Sequence, residues 1–346
     1  MNKEMGTRDQ SVLRAIISSY ISTGEPVGSR YLSKKLDFHL SSATIRNIMA
    51  DLEELGFLKQ PHVSAGRIPT DKAYRFFVDS FVQAAEDDPA LSNLDKLYRS
   101  LRGEPEHLMR EAGRALSDVS HYVGLVLAPR FIDTTFKHLE FVKLKLKTVL
   151  AIMVSEEGFI QNRLVETDRE YPQRELDAIS RRLNGTYADL PLREVRRRIL
   201  QEMAHDKALY DSLLEQALSL GRRTLKGDES GGDDIYLEGT SNILSLPEFA
   251  DLEQMKKLFQ AFDDKSHLVE ILGRCIDAEG VKIFIGAENP YRELHNLSVV
   301  TAPYKKEGRV FGVIGVLGPT RMEYNRVIPM VDYTARCLTR ILTDRF

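Results

Sequence analysis

Between Ser41 and Thr70 stand side chains suited to reading the edges of a nucleic-acid duplex. Ala43, Arg46, Asn47 and Ala50 recur on one side of a run with helical periodicity. A guanidinium can bond guanine bidentately and a carboxamide can do the same with adenine. Alanines beside them let the helix approach closely. Ser41, Ser42 and Thr44 place hydroxyls at the start of the run, where a helix N-terminus favours a phosphate. Ser29 and Arg30 lie upstream, and Lys59, His62, Ser64, Gly66 and Arg67 lie downstream. Arg67, next to Gly66, suits a minor groove, whose negative potential favours arginine. Its other reading is a solvated loop charge.

These groups need a helix and a hairpin to hold them, and the surrounding pattern predicts both. Ser41 or Ser42 can cap the helix, and Gly56 falls just past its end. Ile45, Ile48, Met49, Leu52 and Leu55 form an apolar stripe that must face a core. Asp51, Glu53 and Glu54 come late, away from the end that enters a groove first. Upstream, Thr7 with Gln10 matches a capping box. Val12, Leu13, Ile16, Ile17, Tyr20 and Ile21 follow at helical spacing, and the run from Ser22 to Pro26 ends that helix. Ser29 can cap a second, short helix through Leu36, with Leu32 and Leu36 inward. After Gly56, Phe57 to Gln60 can form a strand, Pro61 to Gly66 a loop, and Arg67 with Ile68 the return strand. Three helices and a hairpin are the winged helix-turn-helix order. Taken alone, the third helix reads equally well as an amphipathic helix with a mixed solvated face; the elements around it favour the duplex-reading role.

Three strings, EPVGSR from Glu25, ATIRNIMADLEE from Ala43 and SAGRIPTDK from Ser64, closely resemble the HrcA family of bacterial heat-inducible transcription repressors, and GVIGVLGPTRM from Gly312 also looks like that family. The resemblance covers essentially the whole chain, by residues at the two ends and by pattern in the middle. Ala73 stands where the family pattern suggests Gly, and Phe77 where it suggests Tyr or another aromatic; neither touches the proposed DNA face. The resemblance implies a homodimer that binds double-stranded DNA at an inverted-repeat operator (CIRCE) upstream of chaperone operons. It also implies that the GroEL chaperonin keeps the repressor active, and that heat, by loading the chaperonin with other clients, relieves repression.

Composition agrees. The 346 residues are 42% hydrophobic and 29% charged, as in a globular protein of two or three domains. No long apolar run predicts a membrane span, and the polar N-terminus lacks a secretory pattern. Cys275 and Cys337, in apolar settings, are expected as buried free thiols in a reducing cytoplasm. The net charge is −3, yet residues 1–82 hold eleven Lys and Arg against nine Asp and Glu, leaving the remainder at −5. That asymmetry should orient an encounter with DNA.

Past the hairpin, Thr70 can cap a helix carrying Tyr74, Phe76, Phe77, Val78 and Phe81. Helical spacing favours core packing for these aromatics over base stacking. Glu86 to Pro89 reads as a boundary, and Leu91 to Leu101 and Glu106 to Val119 as helices. Strands are expected at Val123–Ala128, Phe141–Leu146, Thr148–Val154 and Phe159–Val165, as one antiparallel meander. Pro172 to Leu225 is helical and charged, and GDESGGDD, from Gly227, is a linker. Then come strands at Ile235–Leu237, Val281–Ile285, Leu297–Ala302 and Val310–Leu317, helices from Pro247 to Cys275, and a last helix from about Tyr324 to Leu342.

Sheet, helical excursion, then sheet again predicts an α+β chain in which one domain interrupts another. The expected division is a winged-helix domain at 1–82, a connecting segment at 83–104, a sheet domain with flanking helices at 105–166 and 235–346, and an inserted, mainly helical domain at 167–234. Resemblance makes the sheet domain GAF-like and the insert dimerising. Arg193, Arg196, Arg197 and Arg198 read as a solvated face paired with Glu175, Glu194 and Glu202. Leu192, Val195, Ile199, Leu200 and Met203 on that helix are the candidates for a subunit contact.

Signs of catalysis are lacking. Glycines 308, 312, 315 and 318 do not form a dinucleotide fingerprint and fall in a strand. There is no phosphate-loop lysine motif, no paired-cysteine or histidine metal spacing, and no nucleophile elbow. His121 and His295 read as ordinary packed or surface histidines. No cofactor and no enzymatic role are expected. Two other functional readings stand beside this one: the first keeps the DNA-binding end and makes the sheet domain a small-molecule sensor, and the second makes the chain an interaction or assembly protein that uses the winged helix for protein contacts.

Overall fold

The computed structural model describes residues 5–35, 40–62, 65–81, 89–100, 105–128, 134–204, 218–221, 224, 235–244, 246, 255, 262, 265–276, 278–306 and 308–345. It is a mixed α and antiparallel β structure.

The N-terminal part runs α1 (Thr7–Thr23), α2 (Ser29–Lys35), α3 (Ser42–Glu54), a hairpin of β1 (Leu58–Lys59) and β2 (Ile68–Pro69), then α4 (Asp71–Phe81). The N-cap of α1 is Gly6 rather than Thr7: its N–H donates to Asp9 Oδ2 at 3.1 Å. A carboxylate three residues on satisfies an orphan donor there, and the expected Thr7–Gln10 pair does not form the cap. Val12, Leu13, Ile16 and Ile17 of α1 meet Leu32 of α2 and Ile45, Met49 and Leu52 of α3 in one core. Leu36 lies outside the described residues.

Next come α5 (Pro89–Ser100), α6 (Pro105–Ser120) and β3 (Val123–Leu127). A three-stranded unit follows, β4 (Phe136–Lys145), β5 (Thr148–Ser155) and β6 (Ile160–Glu166), then α7 (Gln173–Tyr187) and α8 (Leu192–Ala204). The chain continues through β7 (Ile235–Glu238), α9 (Ser241–Leu244), α10 (Ser266–Gly273), β8 (Lys282–Ile285), β9 (Leu297–Lys306), β10 (Arg309–Pro319) and α11 (Tyr324–Arg345).

The larger sheet has the order β7-β3-β10-β9-β8, every neighbour antiparallel. Period-two alternation sends Val123, Leu125 and Leu127 of β3 to a core with Leu268, Ile271 and Leu272 of α10. Val126 of the same strand faces the opposite core, with Leu108, Met109 and Ala112 of α6 and Val327, Val331 and Leu338 of α11. Both faces are therefore covered, which is why β3 and β10 read as near-continuous apolar runs. Cys275 and Cys337 are buried free thiols, and burial raises both above the usual thiol range.

The expected single meander is divided. β3 belongs to the larger sheet, while β4, β5 and β6 form their own. Their inner face (Phe136, Leu139, Phe141, Val149, Ala151, Met153, Val165) packs on Leu176, Ile179 and Leu183 of α7 and Leu192, Val195 and Ile199 of α8. Alternation alone could not separate them, because a half-buried strand has the same pattern whichever sheet it joins. This second core draws on residues from Phe136 onward.

Candidate nucleic-acid interface

Ser41 caps α3: its Oγ accepts the Thr44 N–H at 3.1 Å, and its hydroxyl bonds the Thr44 hydroxyl at 2.9 Å. The helix ends in a Schellman turn. Gly56 N–H donates to Glu53 O and Phe57 N–H to Leu52 O, with Gly56 at φ 78°, a backbone angle suited to glycine. Between these ends, Ile45, Met49 and Leu52 are buried and Ile48 is half-buried. Ala43, Thr44, Arg46, Asn47 and Ala50 are exposed. Among the described residues no side chain engages Arg46 or Asn47, so the donors that can read base edges are free.

Ser29 and Ser42 do a different job from Arg46. Their hydroxyls lie 3.1 Å apart and hydrogen-bond, tying α2 to α3 and fixing the angle between the helices. Arg30 stands exposed beside them, and Lys59 and His62 are exposed on the hairpin. Ser64 lies outside the described residues.

The hairpin is held to the helices by two residues expected at the DNA. Arg67 exchanges backbone hydrogen bonds with Val27 at 2.9 Å each way, and its Nε donates to Glu53 Oε2 at 2.8 Å. The guanidinium braces the wing against α3 instead of projecting from it. Gly66 lies against the turn between α1 and α2: a Cβ there would come within 2.4 Å of Val27 O. Both departures share one cause, the close approach of the hairpin to a turn some forty residues earlier, which no local pattern reports.

Sequence reasoning passed over the braces behind this face. Thr70 Oγ1 donates to Gly56 O at 2.7 Å, and Lys72 Nζ donates to Leu55 O at 2.8 Å, satisfying carbonyls at the end of α3. Lys72 comes seventeen residues after Leu55, on α4 beyond the hairpin, so nothing local marks it for this role. The contacts that seat α4 on the sheet domain carried no signal at all. Arg75 donates to Ile283 O at 2.7 Å and pairs with Glu288. Asp71 Oδ2 accepts the Ala287 N–H at 2.9 Å, and beside α4 Arg321 donates to Ile21 O of α1 at 3.1 Å. The Tyr74 and Tyr324 rings meet at 6.0 Å between centroids, so the aromatics of α4 pack in the core, as their spacing predicts.

The residues expected at a subunit contact are placed differently. Leu192, Val195 and Ile199 are 0%, 3% and 2% exposed and lie inside the chain's own second core. A side chain already enclosed has no surface left for a partner, so these three are corrected to core residues. The side chains of Leu200 and Met203 lie outside the described set. The arginine run does pair with acid: Arg197 and Arg198 bond Glu194 and hold its carboxyl down to about 2. Glu175 pairs with Arg169 instead. No group of His, Cys, Asp and Glu among the described residues could hold a metal, and no described helix is long and apolar enough to cross a membrane.

Comparison with known proteins adds to this geometry. The family model described as "HrcA protein C terminal domain" matches residues 106–328. The chain is 48% identical over 340 residues to the heat-inducible transcription repressor HrcA of Geobacter sulfurreducens, covering 98% of each. It is 42% identical to that of Syntrophobacter fumaroxidans, covering 99% of this chain and 98% of the relative. A crystal structure described only as that of a hypothetical protein shares the fold, with a TM-score of 0.66 at 23% identity and 99% of both chains covered. The relatives are repressors by name, a role without catalysis. The chain belongs to the HrcA family of heat-inducible transcription repressors.

Proposed function

We propose that this protein is a non-enzymatic, cytoplasmic negative regulator of chaperone operons that binds an inverted-repeat operator of the CIRCE type as a homodimer. The observation that carries the reading is the open edge of α3: Ala43, Thr44, Arg46 and Asn47 exposed on a capped helix whose opposite side is buried. In helix-turn-helix proteins the second helix of the motif enters the major groove by its N-terminal residues, and here those residues are the small and base-reading ones. Arg30, Lys59 and His62 are exposed on α2 and the hairpin and serve the phosphates, with Ser64 proposed for the same role, while Ser29, Ser41 and Ser42 serve the interface by fixing α2 and α3. Gly66 and Arg67 serve the interface by fixing the wing.

A two-fold operator needs a two-fold protein. With Leu192, Val195 and Ile199 enclosed, the pairing surface we favour is the outer face of the β4–β6 sheet with its β4–β5 turn, where Leu144, Leu146, Ile160 and Leu164 are 50%, 69%, 49% and 65% exposed. The inserted dimerising unit then begins near Phe136 and includes that sheet with α7 and α8, and the GAF-like domain is the five-stranded sheet with its helices. The winged-helix domain at 1–82 and a connecting segment at 83–104 complete the division. Heat relieves repression because the folded dimer is marginally stable and the GroEL chaperonin, when occupied by other clients, no longer maintains it.

Footprinting on the chaperone promoters of the source organism, with and without chaperonin, tests the reading. Protection of an inverted repeat, strengthened by chaperonin, is expected; no sequence-selective protection under either condition overturns it. Leu164→Asp should convert the dimer to a monomer in sedimentation equilibrium, and an unchanged dimer would move the pairing surface elsewhere.

A further inference from the structure

A cavity of about 960 Å³ opens where the five-stranded sheet meets the β4–β6 unit. Its size is at the upper end of the roughly 300–1,000 Å³ typical of small-molecule sites. One wall comes from the β9–β10 hairpin, with Lys306, Arg309 and Phe311; the other comes from the inserted unit, with Thr134, Glu157 and Asp189. Lys306 and Arg309 are direct cross-strand partners, so two cations share one position of the ladder, an arrangement that repels. Lys306 is only 9% exposed, and no carboxylate among the described residues pairs with it; its ammonium lies 6.0 Å from the Phe311 ring. A buried cation is ordinarily paired. The acids of the far wall do not serve it: Glu157 accepts the Thr135 N–H through both oxygens at 3.0 Å, and Glu156 pairs with Lys137. Asp189 is exposed. Val269, Ile276 and Val310 complete an apolar lining, Ile276 being 37% exposed.

We infer that this cavity binds a small amphipathic organic anion, its carboxylate or phosphate on Lys306 and Arg309 and its apolar body against Phe311 and Ile276. The site is separate from the DNA face and does not rest on the operator reading. Because its walls come from both the sheet domain and the inserted unit, an occupant bridges the two and ties their relative position to a metabolite. Arg309 recognises the anion from the exposed rim, Lys306 from within.

Isothermal titration calorimetry of the full chain with octanoate, phenyl phosphate and inorganic phosphate tests this. Saturable binding of octanoate or phenyl phosphate, one per chain, is expected, with inorganic phosphate at least tenfold weaker because it lacks the body. The stronger of the two amphiphiles assigns the head group as carboxylate or phosphate. Lys306→Met should weaken binding at least tenfold and Arg309→Ala at least threefold, each with unchanged far-ultraviolet circular dichroism. Should Lys306→Met fail to fold, Arg309→Ala, at an exposed position, decides alone. Absence of saturable binding by both amphiphiles, or wild-type affinity in every folded variant, overturns the inference.

Discussion

Arg67 and Arg46 are the same residue type on neighbouring elements, and the structure gives them different work. Arg46 stands exposed on the outer edge of α3 with no partner among the described residues, whereas Arg67 donates to Glu53 at 2.8 Å. Replacing Arg46 or Asn47 by alanine should therefore cost about 1–3 kcal/mol at particular base pairs, read by fluorescence anisotropy on base-substituted operators. Arg67→Ala should instead act on stability. Its pair is partly exposed, so the loss is about 0.2–1 kcal/mol in a urea melt, with base preference retained. Lys59→Ala should weaken every sequence alike and lower the salt slope by about one. Gly66→Ala is the harsher change, because its Cβ would enter the space of Val27 O; a destabilisation of about 1–3 kcal/mol is expected from such overpacking.

At the scale of elements, α3 shows how much a sequence can say about itself. Its cap at Ser41, its glycine stop and its buried stripe are all local, set by periodicity and by satisfying orphan N–H and C=O groups. Ser41→Ala should cost about 1 kcal/mol of stability, measured by thermal unfolding. The exposed edge proposed for DNA was legible for the same reason, being what the apolar stripe leaves over. Illegible were the contacts that join distant segments. Glycine at 66 signals only freedom, and only the structure reveals that Val27 requires it. The periodicity of α8 marked Leu192, Val195 and Ile199 as one face without saying what covers it. The structure covers it with β4 and β5 of the same chain, strands that local pattern had joined to β3. Sheet membership is a non-local fact, and alternation is blind to it.

For the molecule as a whole, the seat of the winged helix on the sheet domain is the feature most open to perturbation. Arg75 bridges α4 to Ile283 O and Glu288. Partial burial pushes the Glu288 carboxyl up, but the Arg75 guanidinium and the Ile285 N–H outweigh it, and the group titrates below its ordinary value. A carboxyl lowered in the folded state stabilises that state above its ordinary value, and the benefit is lost as pH falls through the lowered one. Docking should thus loosen in acid, below the reference value of 4.5. Glu288→Gln should flatten that acid limb in melts followed against pH and, like Arg75→Ala, raise amide exchange in α4 and at residues 283–288 at neutral pH. Unchanged exchange in both variants would show that the other contacts, Asp71 with Ala287, Arg321 with Ile21 and Tyr74 with Tyr324, hold the seat without this bridge.

The larger sheet also imposes a schedule on the newborn polypeptide. Strand residues 123–127 pair with residues 313–317 on one side and 235–238 on the other, and both partners leave the ribosome later. At roughly 5–20 residues per second, the wait for the later partner is on the order of ten seconds or more. Throughout that interval a run destined to be wholly enclosed has α6 to pack on but no strand beside it, and any folding assistant that grips extended apolar segments can seize it before it ever meets an operator.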